Sequence, residues 1–569
     1  MTAITRRRFL QLSGGITAAL LAGCTTAEPS AGPTPAAATS TTAPSPTAPA
    51  AGGAAKPTAP VTVAPSKAAA VAAAVPADFE IGLTARQAQV KLFKGQPTQV
   101  WSYQGEVLAG DPQSLQALPD NYLGPIIRAR KGQQVRVQFT NNMPEESIIH
   151  WHGLRVPDDM DGHPRYAIGS GETYDYEFSV VNRAGMYWFH PHPDGLTGPQ
   201  VYGGLAGLFI VSDDEEAALG LPSGEYDVPL VIQDRTFDAN NQLVYLSAGG
   251  GMGMGMNMDQ MMGFLGDRIL VNGRPDFVLP VATRPYRLRF LNGSNSRIYK
   301  LGWSDGTPLT VIATDGGLLA KPVQRPYVML APAERIELWV DFGGRKMGSE
   351  LTLQSLEFVG ADSDRMPGGS GGMGGMGMMR GQRALPNGVS FPVMKVRVER
   401  ESKDRPALPA KLSEIKPYRL EDAVNGTKPR SFGITLNMMN WLISGRQFEM
   451  EAVAPDEIVK LNTLEAWEFV NKLNPGHMME SMGMAHAMHN HAGQFQVIER
   501  KVLPELRAGW NSVKDGLVDE GWKDTVLLMP GETVKLLMKF EDYPGLFLYH
   551  CHNLEHEDAG MMRNFRIDR

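Results

Sequence analysis

Glu532-Thr533-Val534-Lys535-Leu536-Leu537-Met538 has two counterparts earlier in the chain, Glu172-Thr173-Tyr174-Asp175-Tyr176-Glu177-Phe178 and Glu334-Arg335-Ile336-Glu337-Leu338-Trp339-Val340. Each opens on a glutamate and then places an apolar residue at every second position, the pattern of a half-buried strand. The three glutamates lie 162 and 198 residues apart. A second kind of strand precedes each: Val135, Val137 and Phe139 before Asn141, Tyr286, Leu288 and Phe290 before Asn292, and Trp467 and Phe469 before Asn471. A domain-sized period of such pairs predicts a threefold internal repeat of a β-sandwich. The expected class is all-β, with domains over 79–220, 221–405 and 406–569. A chain of 569 residues is too long for one hydrophobic core, which agrees with three.

Upstream of the repeats the chain reads as an address. Thr5-Arg6-Arg7-Arg8-Phe9-Leu10 looks like a twin-arginine export motif, and the apolar stretch after it is too short to span a membrane. It ends at Leu21-Ala22-Gly23-Cys24, which resembles a bacterial lipobox, so residues 1–23 are expected to be a signal peptide and Cys24 the lipidated N-terminus. A plain signal peptide with Cys24 incidental is the alternative. Residues 24–78 are expected to be a tether, since their Ala, Pro, Thr, Ser and Gly bury too little apolar surface to fold. The protein is thus expected outside the cytoplasm, monomeric, and bound to the membrane by lipid. A net charge of −7 offers no basic field for nucleic acid.

The histidines carry the chemistry. Ten of the 12 fall in four short clusters: His150-Trp151-His152, His190-Pro191-His192, His486-Ala487-Met488-His489-Asn490-His491, and His550-Cys551-His552 followed by His556 and Met561. Two clusters lie in the first repeat and two in the third, so the middle repeat supplies no imidazole and reads as a spacer. Residues two apart on a strand face the same side. Each His-x-His therefore presents two imidazoles together, and four such pairs suit a group of about three metal ions. Cys551 faces away from its flanking histidines, so a metal held by its thiolate is joined to that group through adjacent residues. Two His (His486 and His556), one Cys and a weak Met make the ligand set of a blue copper site. A lone His-x-His is usually a packing pair, but four with one split by Cys are not. Zinc has no redox role and seldom takes so many imidazoles.

These clusters, with Gly185-Met186-Tyr187-Trp188-Phe189 before His190 and Gly545-Leu546-Phe547-Leu548-Tyr549 before His550, resemble the copper signatures of the multicopper oxidases over roughly residues 80–569. The resemblance implies three cupredoxin domains, four copper ions, and a trinuclear cluster between the first and third domains. It implies type 1 copper on His486, Cys551, His556 and axial Met561, and type 2 copper on His150 and His489. It implies a type 3 pair on His152, His190, His192, His491, His550 and His552. Such enzymes take single electrons from a reductant and reduce O2 to water. The four protons consumed call for nearby carboxylates, and Asp161 and Glu557 match the family's relay positions. Asp161, in Asp-Gly, equally suits a turn, and Glu557 a solvated charge.

Three methionine-rich runs bear on the donor. Met252, Met254, Met256, Met258, Met261 and Met262 form one, and Met366, Met373, Met376, Met378 and Met379 another. Met478, Met479, Met482 and Met484 lead into His486. Gly-Met segments suit no rigid core, whereas thioethers bind Cu(I). This resembles the copper-efflux oxidases, and it makes Met373, Met376, Met482 and Met484 candidate substrate ligands. Met482 stands where those enzymes often place an acid, a role then left to Asp362, Asp364 or Glu480. The expected reaction is Cu(I) oxidation in copper tolerance. A laccase acting on phenols or aromatic amines, Fe(II) or Mn(II) as donor, copper storage without turnover, and plain surface loops are the alternatives.

Overall fold

The computed structural model describes residues 76–118, 121–246, 258–361, 385–437, 440–472 and 483–569. The leader, Cys24, nearly all of the tether, Met373, Met376 and Met482 lie outside them. Among the described residues no helix is long and apolar enough to cross a membrane.

The repeated strands pair in the same way three times. Gln134–Asn142 runs antiparallel to Thr173–Ser179, Pro285–Asn292 to Arg335–Asp341, and Thr463–Asn471 to Glu532–Phe540. On its other side each first strand takes a parallel neighbour: Phe79–Val90, Asp227–Arg235 and Arg430–Asn437. The asparagines that close these strands tie the next loop down in kind. Asn141 donates its side-chain amide to the Glu145 and Ile168 carbonyls, Asn292 to those of Arg297 and Leu330, and Asn471 to those of Met484 and Leu528. The three marker glutamates also share a task. Each accepts the backbone N–H three residues upstream, on Gly169, Ala331 and Met529, closing the turn that feeds its strand.

Among the described residues six sheets result, two within 79–212, two within 227–400 and two within 430–568. Alternate residues of facing sheets fill each interior. Val135, Val137, Phe139, Trp151 and Phe209 do so in the first, Leu288, Phe290, Val311 and Leu353 in the second, and Trp467, Phe469, Leu536 and Phe547 in the third. Two strands position the site. Ile149–His152 is the edge strand of its sheet beside Gly185–Pro191, and His486–Asn490 lies between Gly545–Cys551 and the edge strand Thr525–Leu528.

Candidate metal centre

The His-x-His segments lie opposite one another within these sheets. His150 pairs across from His190 on antiparallel strands, and His489 across from His550. The intervening Trp151 turns into the core, so period-two alternation sends both flanking imidazoles out of the sandwich. Eight imidazoles, all buried, meet where the first and third sandwiches face each other. They sort into groups of close ligating atoms: His152 with His190 and His552, His192 with His491 and His550, and His150 with His152 and His489. The Nε2 atoms of His491 and His550 are 3.1 Å apart. Those of His192 and His550, His190 and His552, and His150 and His489 are each 3.4 Å apart. His152 instead turns its Nδ1 inward, 3.4 Å from His190 Nε2.

For His150, His152, His190, His489 and His491, protein oxygens lie against the outward nitrogen and thereby choose the tautomer. The Nδ1 atoms of His150, His190 and His489 lie 2.6, 2.9 and 2.8 Å from the carbonyls of Asp161, Pro191 and Asp524. His491 Nδ1 lies 2.6 Å from Asp161 Oδ2, and His152 Nε2 lies 3.2 Å from Asp524 Oδ1. Burial lowers these imidazoles from the usual histidine range, His190 to about 3, His192 to about 4, and His150, His152, His489, His491 and His552 well below it. A neutral ring that donates outward points a lone pair inward. The lone pairs that His150 and His489 thus turn on each other at 3.4 Å repel unless a cation lies between them, so the donor set fits metal ions taken up by nitrogen.

The odd residue of His550-Cys551-His552 faces the other way. Cys551 Sγ lies 3.5 Å from His486 Nδ1 and 3.7 Å from His556 Nδ1, and accepts the Asn553 N–H at 3.4 Å. Burial pushes the Cys551 thiol up to about 12, so a cation beside the sulfur is needed for the thiolate that binds metal. Met561 is fully buried, and its backbone bonds to both Cys551 and His556. Trp441 packs edge-on to His486 at 4.5 Å and lies 5.4 Å from His556.

Besides Asp524, the carboxylates of Glu557 and Asp161 reach the imidazole group. Glu557 Oε2 is 3.0 Å from His550 Nδ1, and Oε1 is 3.6 Å from His192 Nε2. Asp161 spans His150 and His491 through its carbonyl and carboxylate. Burial, then Asp158, raises Asp161 well above the carboxylate range. Burial acts the same way on Glu557, but the facing His550, His192 and His552 outweigh it and bring that carboxyl below the range. Neither is a solvated charge, since both are buried.

Three expectations need correction. Met484 is only 2% exposed and belongs to the third core, so its thioether does not face solvent. Met261 and Met262, at the end of the first methionine run, form a short helix, Met258–Met262, and also pack into that core. Apolar thioethers adjacent to Trp441 gain more from burial than from solvent. The middle repeat is also more than a spacer. The Met261 carbonyl accepts both His556 Nε2–H and Trp441 Nε1–H at 2.9 Å, which turns His556 Nδ1 toward Cys551. Glu555 accepts from Tyr245, Asn295 and the Phe264 N–H at 2.8, 2.9 and 3.0 Å and from Ser296. Asp558 ties the same segment to the first sandwich, accepting the Thr197 and Gly198 N–H groups at 2.9 and 2.8 Å. Sequence reasoning passed over Glu555 and Asp558, although they bracket His556 and Glu557; an acid in a segment otherwise devoted to ligands was the available signal.

Comparison with known proteins agrees with this geometry. The multicopper oxidase profile matches residues 87–216 and 423–569. A multicopper oxidase of Staphylococcus aureus is 28% identical over 490 residues, spanning 86% of this chain and 88% of that protein. A laccase of Bacillus subtilis is 28% identical over 514 residues, spanning 83% and 90%. The crystal structure of the McoA multicopper oxidase from Aquifex aeolicus superposes with a TM-score of 0.68 at 33% identity, covering 87% of this chain and 97% of that one. With its histidine clusters in a donor set made for copper, this chain belongs to the multicopper oxidase family.

Proposed function

We propose that the protein couples one-electron oxidation of Cu(I) to four-electron reduction of O2 to water. His486, Cys551, His556 and axial Met561 would hold type 1 copper, and His150 and His489 type 2. His152, His190 and His552 would hold one type 3 ion, and His192, His491 and His550 the other. Bound copper would supply electron uptake at the cysteine and O2 reduction at the histidine cluster. The observation that carries this reading is that Cys551 Sγ lies with His486 and His556 while its chain neighbours His550 and His552 belong to the two imidazole triads. The route between the centres is two residues of backbone. Glu557 is in reach of His550 Nδ1 and Asp161 of His491 Nδ1, where each could hold a proton for the oxygen-reducing side.

Cu(I) is favoured as donor by the methionines within 366–379 and 478–482, since thioethers bind Cu(I). The likeness to a laccase favours a phenol or aromatic amine as the second reading. The leader and tether at residues 1–78 would place the enzyme outside the cytoplasm, anchored through Cys24. The test is steady-state O2 uptake with Cu(I) and with a phenol, on copper-loaded protein with and without residues 366–379. Deletion should slow Cu(I) oxidation and speed phenol turnover. If it changes neither, the donor assignment fails. If O2 is not consumed with any donor, the oxidase reading fails.

A further inference from the structure

The middle sandwich reaches the imidazole group through Arg335, beside Asp315, whose Oδ2 accepts the Asp524 and Thr525 N–H groups at 3.3 Å. Arg335 is 1% exposed, and all five of its guanidinium donors are used. Nε–H goes to the Met186 carbonyl of the first sandwich at 3.2 Å. Nη1 donates to the Ala333 carbonyl at 3.0 Å and to Asp524 Oδ1 at 2.7 Å, and Nη2 to the Asp315 carbonyl at 3.1 Å and to Asp524 Oδ2. Asp524, preceding the edge strand Thr525–Leu528, is thereby held by a two-pronged grip from another sandwich. Its Oδ1 faces His152 Nε2 at 3.2 Å, beside Thr525 Oγ1, which lies equally far from that nitrogen and donates to the same Oδ1 at 3.0 Å, and its carbonyl faces His489 Nδ1 at 2.8 Å. Lys523 joins from behind, 3.1 Å from Asp315 and 3.0 Å from Glu334. The residue after His152 is shaped to this pair. Gly153 has φ of +84°, and a Cβ there would lie 2.4 Å from Asp524 Oδ2 and 2.8 Å from Arg335 Nη2. His152 is also the imidazole that turns Nδ1 toward His190, the reverse of its neighbours.

We propose that Arg335 is a positioning residue for the trinuclear pocket: it fixes Asp524 so that Asp524 accepts His152 Nε2–H, which turns His152 Nδ1 toward the metal position. This rests on the reading that the eight imidazoles hold copper. Lysine cannot take the place of arginine here, because an ammonium lacks the planar fork that grips both carboxylate oxygens. A partner that orients a metal-bound histidine typically changes metal affinity by about 10–100-fold.

The experiment uses the copper-loaded full chain and its Arg335→Lys variant, which keeps the buried charge. Copper is withdrawn with EDTA while total copper and the blue thiolate–copper absorption are followed. Cys551 takes its contacts from His486, His556 and Asn553, so the blue band reports on a centre that Arg335 does not touch. The expected result is copper lost from the trinuclear site at about 10–100-fold lower EDTA, with the blue band kept. Asp524→Asn, which removes the charge and leaves the volume, should show the same split. Unchanged retention in both variants overturns the proposal, as does parallel loss of both centres, which would mark a purely structural role. A wild-type protein that binds no trinuclear copper would instead fail the underlying reading.

Discussion

Replacing Glu555 with glutamine should loosen the segment that carries His556. The Leu554–Asp558 helix is only five residues long, and its hydrogen bonds alone cannot hold it. Glu555 attaches it to the middle sandwich, with Oε1 taking Tyr245 and Asn295 and Oε2 taking the Phe264 N–H and Ser296. Glutamine keeps an oxygen for the first pair but turns an amide N–H against the buried Phe264 N–H. Ser296 can rotate its hydroxyl to accept, whereas a backbone N–H has no such freedom. One unsatisfied buried donor and the lost charge assistance together cost roughly 2–4 kcal/mol, or roughly 30- to 1,000-fold in the opening equilibrium of the helix. The assay is the rate at which a chelator bleaches the blue absorption of the copper-loaded protein. Acceleration within that range, with a smaller effect for Ser296→Ala, is expected. Bleaching within about threefold of wild type in Glu555→Gln, well short of that range, would refute the claim that this carboxylate clamps the type 1 ligand.

Cys551→Ser should abolish the blue absorption and donor-driven O2 uptake while the imidazole group still binds copper, as checked by total copper per chain. Glu557→Gln should lower O2 uptake by about 10²–10⁴-fold while leaving anaerobic bleaching of the blue band by the donor at its wild-type rate in stopped flow; a loss under about threefold would remove Glu557 from proton delivery. His163 is buried beside Asn564 at 2.8 Å, and burial lowers its pKa to about 3. The folded protein then keeps it neutral while the unfolded chain takes a proton below about 6.5, so its share of stability is present above that pH and lost as pH falls toward 3. His163→Gln should make the fall in urea-unfolding free energy between about pH 6.5 and 4.5 shallower, by about 1.4 kcal/mol per pH unit. Identical slopes would contradict this.

The strand repeats were legible because alternation, a closing asparagine and a leading glutamate are local signals. Val135, Val137 and Phe139 alternate before Asn141 whatever the rest of the chain does, and the same grammar returns at 286–292 and 467–471. The His-x-His pairs were legible for the same reason, since pleating alone sends both imidazoles to one side. Which imidazoles meet was decided by tertiary structure. His152 and His552 are 400 residues apart in the chain, and their grouping depends on how two sandwiches approach. Burial of Met484 and of Met261 could not be read either, because a thioether is equally suited to a core and to Cu(I), and only the presence of Trp441 and the third core chooses. Arg335 and Asp524 carry no local mark as a pair. Their partnership exists because packed sandwiches press charged groups together away from water, where each buried charge must find its opposite.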